Sequence, residues 1–253
     1  MRLVDAHCHL HDAEFDADRE SVVRRARGAG VVAVVTSSLG YVDALKALQV
    51  ARKYRGYVHV CIGLDPANLN LDEAGKVQEL ILRHKDDIVG VGEVGLDYYR
   101  VGDGKLRDVQ RRLFRRWIEF AEELSLPLVV HSRSAGKYAV QMLLEGGYHR
   151  VLMHAYDGRV GWALRASHEG IYFSIPTSVW YSRQKQKLVR ALPLDCLMVE
   201  SDCPVLSPVR GERNEPANLV YAVKKIAELK GVSEEEVAET TTRNAERFFQ
   251  LRI

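Results

Sequence analysis

Six side chains able to hold a metal ion stand at the ends of apolar runs in this sequence. His7 and His9 close the run LVDAHCH, and Glu93 sits in GVGEVGLDYY. His131 ends PLVVH, His154 ends RVLMH, and Asp202 follows LMVES. In an extended strand, residues two apart point the same way, so His7 and His9 can bind one ion together while Cys8 turns aside. Four imidazoles and two carboxylates exceed the tetrahedral set that one zinc ion uses. Two ions sharing a bridging carboxylate would use all six. Paired divalent ions about 3.5–4 Å apart suit phosphate-ester hydrolysis, because they polarise the substrate oxygen and lower the pKa of bound water toward about 7. Taken singly, each residue has a plainer explanation, since a lone H-x-H or one strand-end histidine is more often a hydrogen-bonded core residue. The joint placement argues for metal, because a buried strand end is a poor home for unpaired polar groups.

The runs that carry these residues belong to a repeated alternation of strands and amphipathic helices. Runs rich in Val and Ile predict strands at Leu3–His7, Val31–Thr36, Val58–Gly63, Ile88–Val94, Leu128–His131, Val151–His154, Ile171–Ser174 and Cys196–Ser201. Helix-like stretches lie between them, such as Ser21–Ala29, Tyr41–Lys53, Asp108–Leu124 and Ala135–Leu144. In Asp108–Leu124, Val109, Leu113, Trp117, Phe120 and Leu124 recur at three- and four-residue intervals, as one helix face requires. Eight such units in 253 residues predict an α/β fold of the (β/α)8 or TIM-barrel type, one domain over 1–253. An open doubly wound sheet would want a glycine-rich turn after the first strand, where this chain has His7-Cys8-His9. A barrel gathers the carboxyl ends of its strands on one face, and the six candidate ligands with them.

Composition sets limits on partners. Lys and Arg total 36 against 34 Asp and Glu, a net charge of +2. That balance predicts no nucleic-acid partner by itself, so any phosphate must be held by local residues. With 47% hydrophobic and 28% charged residues the chain has ordinary globular composition. No apolar run approaches the ~20 residues of a membrane span. The opening MRLVDAHCHL is too short and polar for a secretory signal, which makes the cytoplasm the expected location. Cys8, Cys61, Cys196 and Cys203 are scattered and read as reduced thiols. No obligate protein partner is evident.

Several blocks in order resemble the TatD family of metal-dependent deoxyribonucleases, within the amidohydrolase-like barrels. They are DAHCHL, GEVGLDYY, PLVVHSRSA, VLMHAYDG, ESDCPVLSP, RGERNEPANL and TTRNAERFF, nearly end to end. The resemblance implies hydrolysis of DNA with two divalent cations, of which Mg2+, Mn2+ and Zn2+ are the candidates. It implies that His7, His9, Glu93 and Asp202 hold one ion, while Glu93, as bridge, holds the other with His131 and His154. There are departures. Many family members have G-I-H-P where this chain reads Gly63-Leu64-Asp65-Pro66, and H-S-R-D-A where it reads His131-Ser132-Arg133-Ser134-Ala135. Asp202-Cys203-Pro204 replaces a more usual D-S-P or D-A-P. These leave the ligands intact, bear on substrate preference, and suggest a distinct subgroup, with an archaeal one in view.

The expected reaction is attack of an activated water on phosphorus, with Asp202 orienting that water and accepting its proton and Glu93 bridging. Arg133 and Arg213 are candidates for gripping phosphate oxygens, with loop-bracing salt bridges as the equal alternative. Tyr98 and Tyr99 could stack on an unpaired base or pack the barrel rim. Arg111, Arg112, Arg115 and Arg116 read most simply as a solvated helix face. His11 continues the spacing of His7 and His9 and is the best candidate for a seventh ligand, although the strand is expected to end before it. Glu234–Glu236 after Ser233 predict a capped helix start. The ligand set alone does not choose phosphorus over carbon, so an amide, ester or lactone hydrolase is the nearest rival. A non-catalytic, metal-stabilised interaction module is the other.

Overall fold

The Val- and Ile-rich runs form eight strands in a computed structural model that describes residues 1–253. They are β1 Leu3–Cys8, β2 Val31–Ser37, β3 Val58–Ile62, β4 Gly90–Gly95, β5 Leu128–His131, β6 Val151–Met153, β7 Tyr172–Pro176 and β8 Leu197–Glu200. All lie in one sheet in sequence order, with parallel registers such as Cys61↔Gly90 and Val130↔Met153. The segment after β8 returns to β1: Asp202 N donates to His7 O at 3.0 Å and His9 N to Cys203 O at 2.8 Å. The architecture is the expected (β/α)8 barrel.

Nine helices accompany the strands: α1 Arg19–Gly28, α2 Tyr41–Lys53, α3 Leu71–Arg83, α4 Gly104–Leu124, α5 Gly136–Gly146, α6 Val160–His168, α7 Arg183–Ala191, α8 Leu219–Lys230 and α9 Glu234–Phe249. α4 begins four residues before the expected start, because the Asp103 side chain caps it by accepting from Leu106 N at 3.0 Å. Its buried face is Gln110, Leu113, Phe114, Trp117, Ile118 and Ala121, so Val109, Phe120 and Leu124 fall to the half-buried flanks. α9 begins as predicted, with Ser233 Oγ accepting from Glu236 N at 3.1 Å and three glutamates in its first turn. No helix is long and apolar enough to cross a membrane.

The chain groups into two compact units. The first comprises Met1–Thr36, Gln49–His59 and Ser174–Ile253, and the second Ser37–Leu48 with Val60–Phe173. The first holds β1, β8 and the C-terminal helices, around a core that includes Leu3, Val4, Val199 and Ile226. The second holds β4, β5 and β6, with Val91, Val94, Val129 and Leu152 fully buried. Two glycines let β4 carry its functional residue. A Cβ at Gly95, whose φ is 141°, would collide with the His131 carbonyl oxygen, and one at Gly63 would strike the backbone of Glu93.

Candidate metal centre

In the second unit, neighbouring strand ends deliver Glu93, His131 and His154 to one spot. Glu93 Oε1 lies 2.6 Å from His131 Nδ1 and 3.2 Å from His154 Nε2, and the two histidine nitrogens are 3.2 Å apart. One ligand atom from each of the three lies within 4.8 Å of the others. Two imidazoles and a carboxylate at this spacing suit a divalent ion and leave further positions for water or substrate. Glu93 and His154 are both buried. Burial alone would raise Glu93, yet the charges of His154 and His131 and their hydrogen bonds hold its carboxyl well below the usual range. Burial likewise opposes charge on His131, but Glu93 and Asp97 overcome it and push the imidazole up to about 9. A metal ion must displace that proton, because only the free nitrogen lone pair can ligate.

Asp97 is the residue that sequence reasoning passed over. It is buried, and its Oδ2 meets His131 Nε2 at 3.1 Å, opposite the nitrogen that faces Glu93. This is the carboxylate-behind-histidine arrangement that fixes a ligand's orientation and raises its basicity. Its other oxygen, Oδ1, accepts from Tyr99 N and Arg100 N at 3.0 and 2.9 Å, so it shapes the loop as well. The sequence signal was present in GEVGLDYY, four residues past Glu93, but nothing local reveals a partner 34 residues away.

In the first unit, His7 Nε2 and His9 Nε2 stand 3.5 and 3.6 Å from Asp202 Oδ1. The two rings are 5.1 Å apart and nearly perpendicular, as same-side residues on a strand allow. The backbone around Asp202 is tightly specified. Asp202 takes a left-handed φ of 53°, an uncommon state for a residue with a side chain. Before it, Ser201 gives its N–H and Oγ–H to the fully buried Asp5 at 2.9 and 2.6 Å. Burial outweighs those bonds and pushes the Asp5 carboxyl up to about 7. The buried Asn214 Nδ2 reaches Ser201 O at 2.6 Å and Val205 O at 2.9 Å, bracketing the loop. Cys8 and Cys203 are buried free thiols, as expected of packing residues. His11 is buried and meets Thr36 Oγ1 through Nδ1 at 2.8 Å.

The two predicted phosphate-gripping arginines have different surroundings. Arg133 is exposed, two residues past His131, with its guanidinium 3.9 Å from the exposed Tyr99 ring centre. Arg213 spans Asp18, at 3.0 Å from Oδ1 and 2.6 Å from Oδ2, and donates to Glu14 O at 2.6 Å. That is the loop-bracing arrangement, and in the RNEP tract it is Asn214, one residue on, that grips the segment after Asp202. Tyr98 is buried and packs the rim, while Tyr99 is exposed.

Residues 4–250 match the TatD related DNase family. The chain belongs to that family. It is 40% identical to human Deoxyribonuclease TATDN3 over 98% of this chain and 94% of that protein. It is 33% identical to an uncharacterised metal-dependent hydrolase of Methanocaldococcus jannaschii, over 100% of this chain and 99% of the relative. The structure superposes on that of YJJV, a TatD homologue of Escherichia coli, with a TM-score of 0.92, 24% identity and 99% coverage of both chains. Against the TatD pattern, the departures have local correlates. Asp65, in place of the frequent histidine, takes Arg100 Nη1 at 2.8 and 2.7 Å from its two oxygens. At Ser134, in place of the aspartate, only the backbone N–H is bonded, to Asp157 Oδ2 at 2.9 Å, and nothing in the structure explains the change of side chain.

Proposed function

We propose that this TatD-family barrel hydrolyses phosphodiester bonds in DNA with two divalent cations. The observation that carries the reading is the Glu93–His131–His154 cluster, three metal-type donors within 4.8 Å in a member of a DNase family. His7, His9 and Asp202 would supply the remaining ligands, with Glu93 as the candidate bridge. Cations held there would polarise a phosphate oxygen and bring the pKa of water toward neutrality. Asp202 orients the attacking water and accepts its proton, since an ionised carboxylate only accepts. Asp97 holds His131 in its ligating orientation. Arg133 grips a phosphate oxygen of the substrate, and Arg213 holds the RNEP tract through Asp18. The chain acts as one domain, because β2, β3 and β7 each run through the division between the units.

Removal of metal tests the proposal. Exhaustive chelation should abolish hydrolysis of a DNA oligonucleotide, and Mn2+ or Mg2+ should restore it. The same metal-loaded protein should leave a panel of amides and lactones intact. Turnover of those substrates without DNA cleavage would move the assignment from phosphorus to carbon.

A further inference from the structure

Within the second unit, three adjoining hollows follow the outer side of α5. Their volumes are about 480, 330 and 170 Å³. Tyr138 lines the first two, Trp162 lines the first and third, and Gln141 and Glu145 line the last two, so the hollows adjoin as a trough astride α5, one flank toward α4 and the other toward α6. It starts at Ser134 and Asp157, each three residues beyond a candidate ligand, His131 and His154, and runs outward between α4, α5 and α6. Six cationic side chains line it against three carboxylates. Asp108 and Arg111 engage each other, which leaves five cations, and Asp157 already accepts from Ser134 N.

The aromatic groups decide what such a trough would hold. Tyr138 is 44% exposed, and Lys137 Nζ sits 5.7 Å from its ring and 5.8 Å from that of Trp162. Arg165 stands 5.7 Å from the Trp162 ring on the same wall. Cations interleaved with aromatic faces are the components of a single-strand site, where bases stack on rings and phosphates meet the charges. Duplex DNA keeps its bases stacked on one another and offers no face to Trp162. α5 spans ~16 Å, room for about four or five nucleotides at ~3.4 Å each. We propose that this trough binds the unpaired stretch of a DNA substrate whose scissile phosphate lies at the metal centre. The arginine run of α4 thereby gains a role at Arg111, Arg112 and Arg115, which line the trough, and not at Arg116. The inference rests on the proposed nuclease activity only for the position of the cut, not for binding.

Fluorescence anisotropy with labelled (dT)20 tests the trough, and turnover of bis(p-nitrophenyl) phosphate, which is too small to reach it, tests the catalytic reading separately. Trp162→Ala and Lys137→Glu should each weaken (dT)20 binding about tenfold, and Lys137→Glu should also lower the slope of log affinity against log salt. Both should leave turnover of the small diester unchanged, and Trp162→Phe, which preserves a stacking face, should restore most of the affinity. Unchanged (dT)20 affinity in both loss variants would overturn the trough, as would a 20-base-pair duplex bound as tightly and weakened equally by Trp162→Ala. If the wild type fails to turn over the small diester and DNA but its (dT)20 binding falls in the variants, the nuclease reading fails and the trough stands.

Discussion

The two units assemble their metal-type residues by different means. In the second, Glu93, His131 and His154 touch one another at 2.6–3.2 Å, and Asp97 backs His131. Side chains hold side chains there, and a proton on His131 can stand in for an ion. In the first, His7 and His9 face Asp202 across 3.5 and 3.6 Å, and the order resides in the backbone, through Asp5, Ser201 and Asn214. On the proposed two-ion reading, the difference teaches that one ion would enter a site already tied together by charge, while the other would enter a site whose spacing the strands impose. The Glu93 cluster would release a proton on taking up metal, whereas the His7–His9–Asp202 set would depend on its loop keeping an unusual φ.

The largest effect expected from this contrast is at Asp202. Asp202→Asn keeps its size and one oxygen but removes the charge and most of the basicity. It should lower kcat by ~10²-fold or more while thermal unfolding moves little. Near-normal kcat with normal metal content would assign the base elsewhere. The next effect is at Asp97. Asp97→Asn should weaken metal binding at the Glu93–His131–His154 cluster by ~10–100-fold, because His131 loses its orienting carboxylate. Titration calorimetry should then resolve one weakened and one unchanged ion. Equal weakening of both would erase the distinction between the units.

The metal-free protein offers a smaller test, in pH. His131 is pushed up to about 9 from an ordinary 6.5, so its proton is bound more tightly when folded. The resulting stability is fully present below pH ~6.5 and lost as pH rises through 9, on the order of 1–3 kcal/mol. Chemical unfolding of metal-free protein across that window should show the loss, and saturating metal should remove it because the ion replaces the proton. A flat profile would mean that His131 is not charged in the folded state. Smallest of all is the contrast of arginines. Arg133→Ala should weaken DNA binding a few-fold and lower the salt slope by about one phosphate contact. Arg213→Ala should leave the slope alone and lower the thermal midpoint slightly, through loss of its solvent-screened pair with Asp18. A lowered slope in Arg213→Ala would show that it reaches the substrate.

Much of this was legible in the sequence, for a physical reason. Strands buried on both faces read as continuous Val and Ile runs, so β5 at Leu128–His131 was placed to the residue and the ligands fell at strand ends. Burial patterns fade at edges, where capping takes over: Asp103 moved the start of α4, and its buried stripe turned toward Gln110 and Phe114. Side chains whose role lies in a distant partner were not legible. Asp97 stands beside two conspicuous tyrosines, and Asn214 beside an arginine, yet their partners come from other strands and loops. Arg213 could equally grip a phosphate or a carboxylate until Asp18 was seen beneath it.

The clasp between Ser201 and Asp5 joins residues 196 apart. The second unit's cluster spans only 61, from Glu93 to His154. On a ribosome adding ~5–20 residues each second, that longer interval amounts to about 10–40 s. All three residues of the Glu93 cluster are synthesised before Asp202, which follows His154 by 48 residues. Through that delay β1 has β2 on one side and an open edge on the other, the kind of edge that recruits stray strands. On the role proposed for Asp202, a nascent chain would carry no active nuclease until its synthesis has passed that residue.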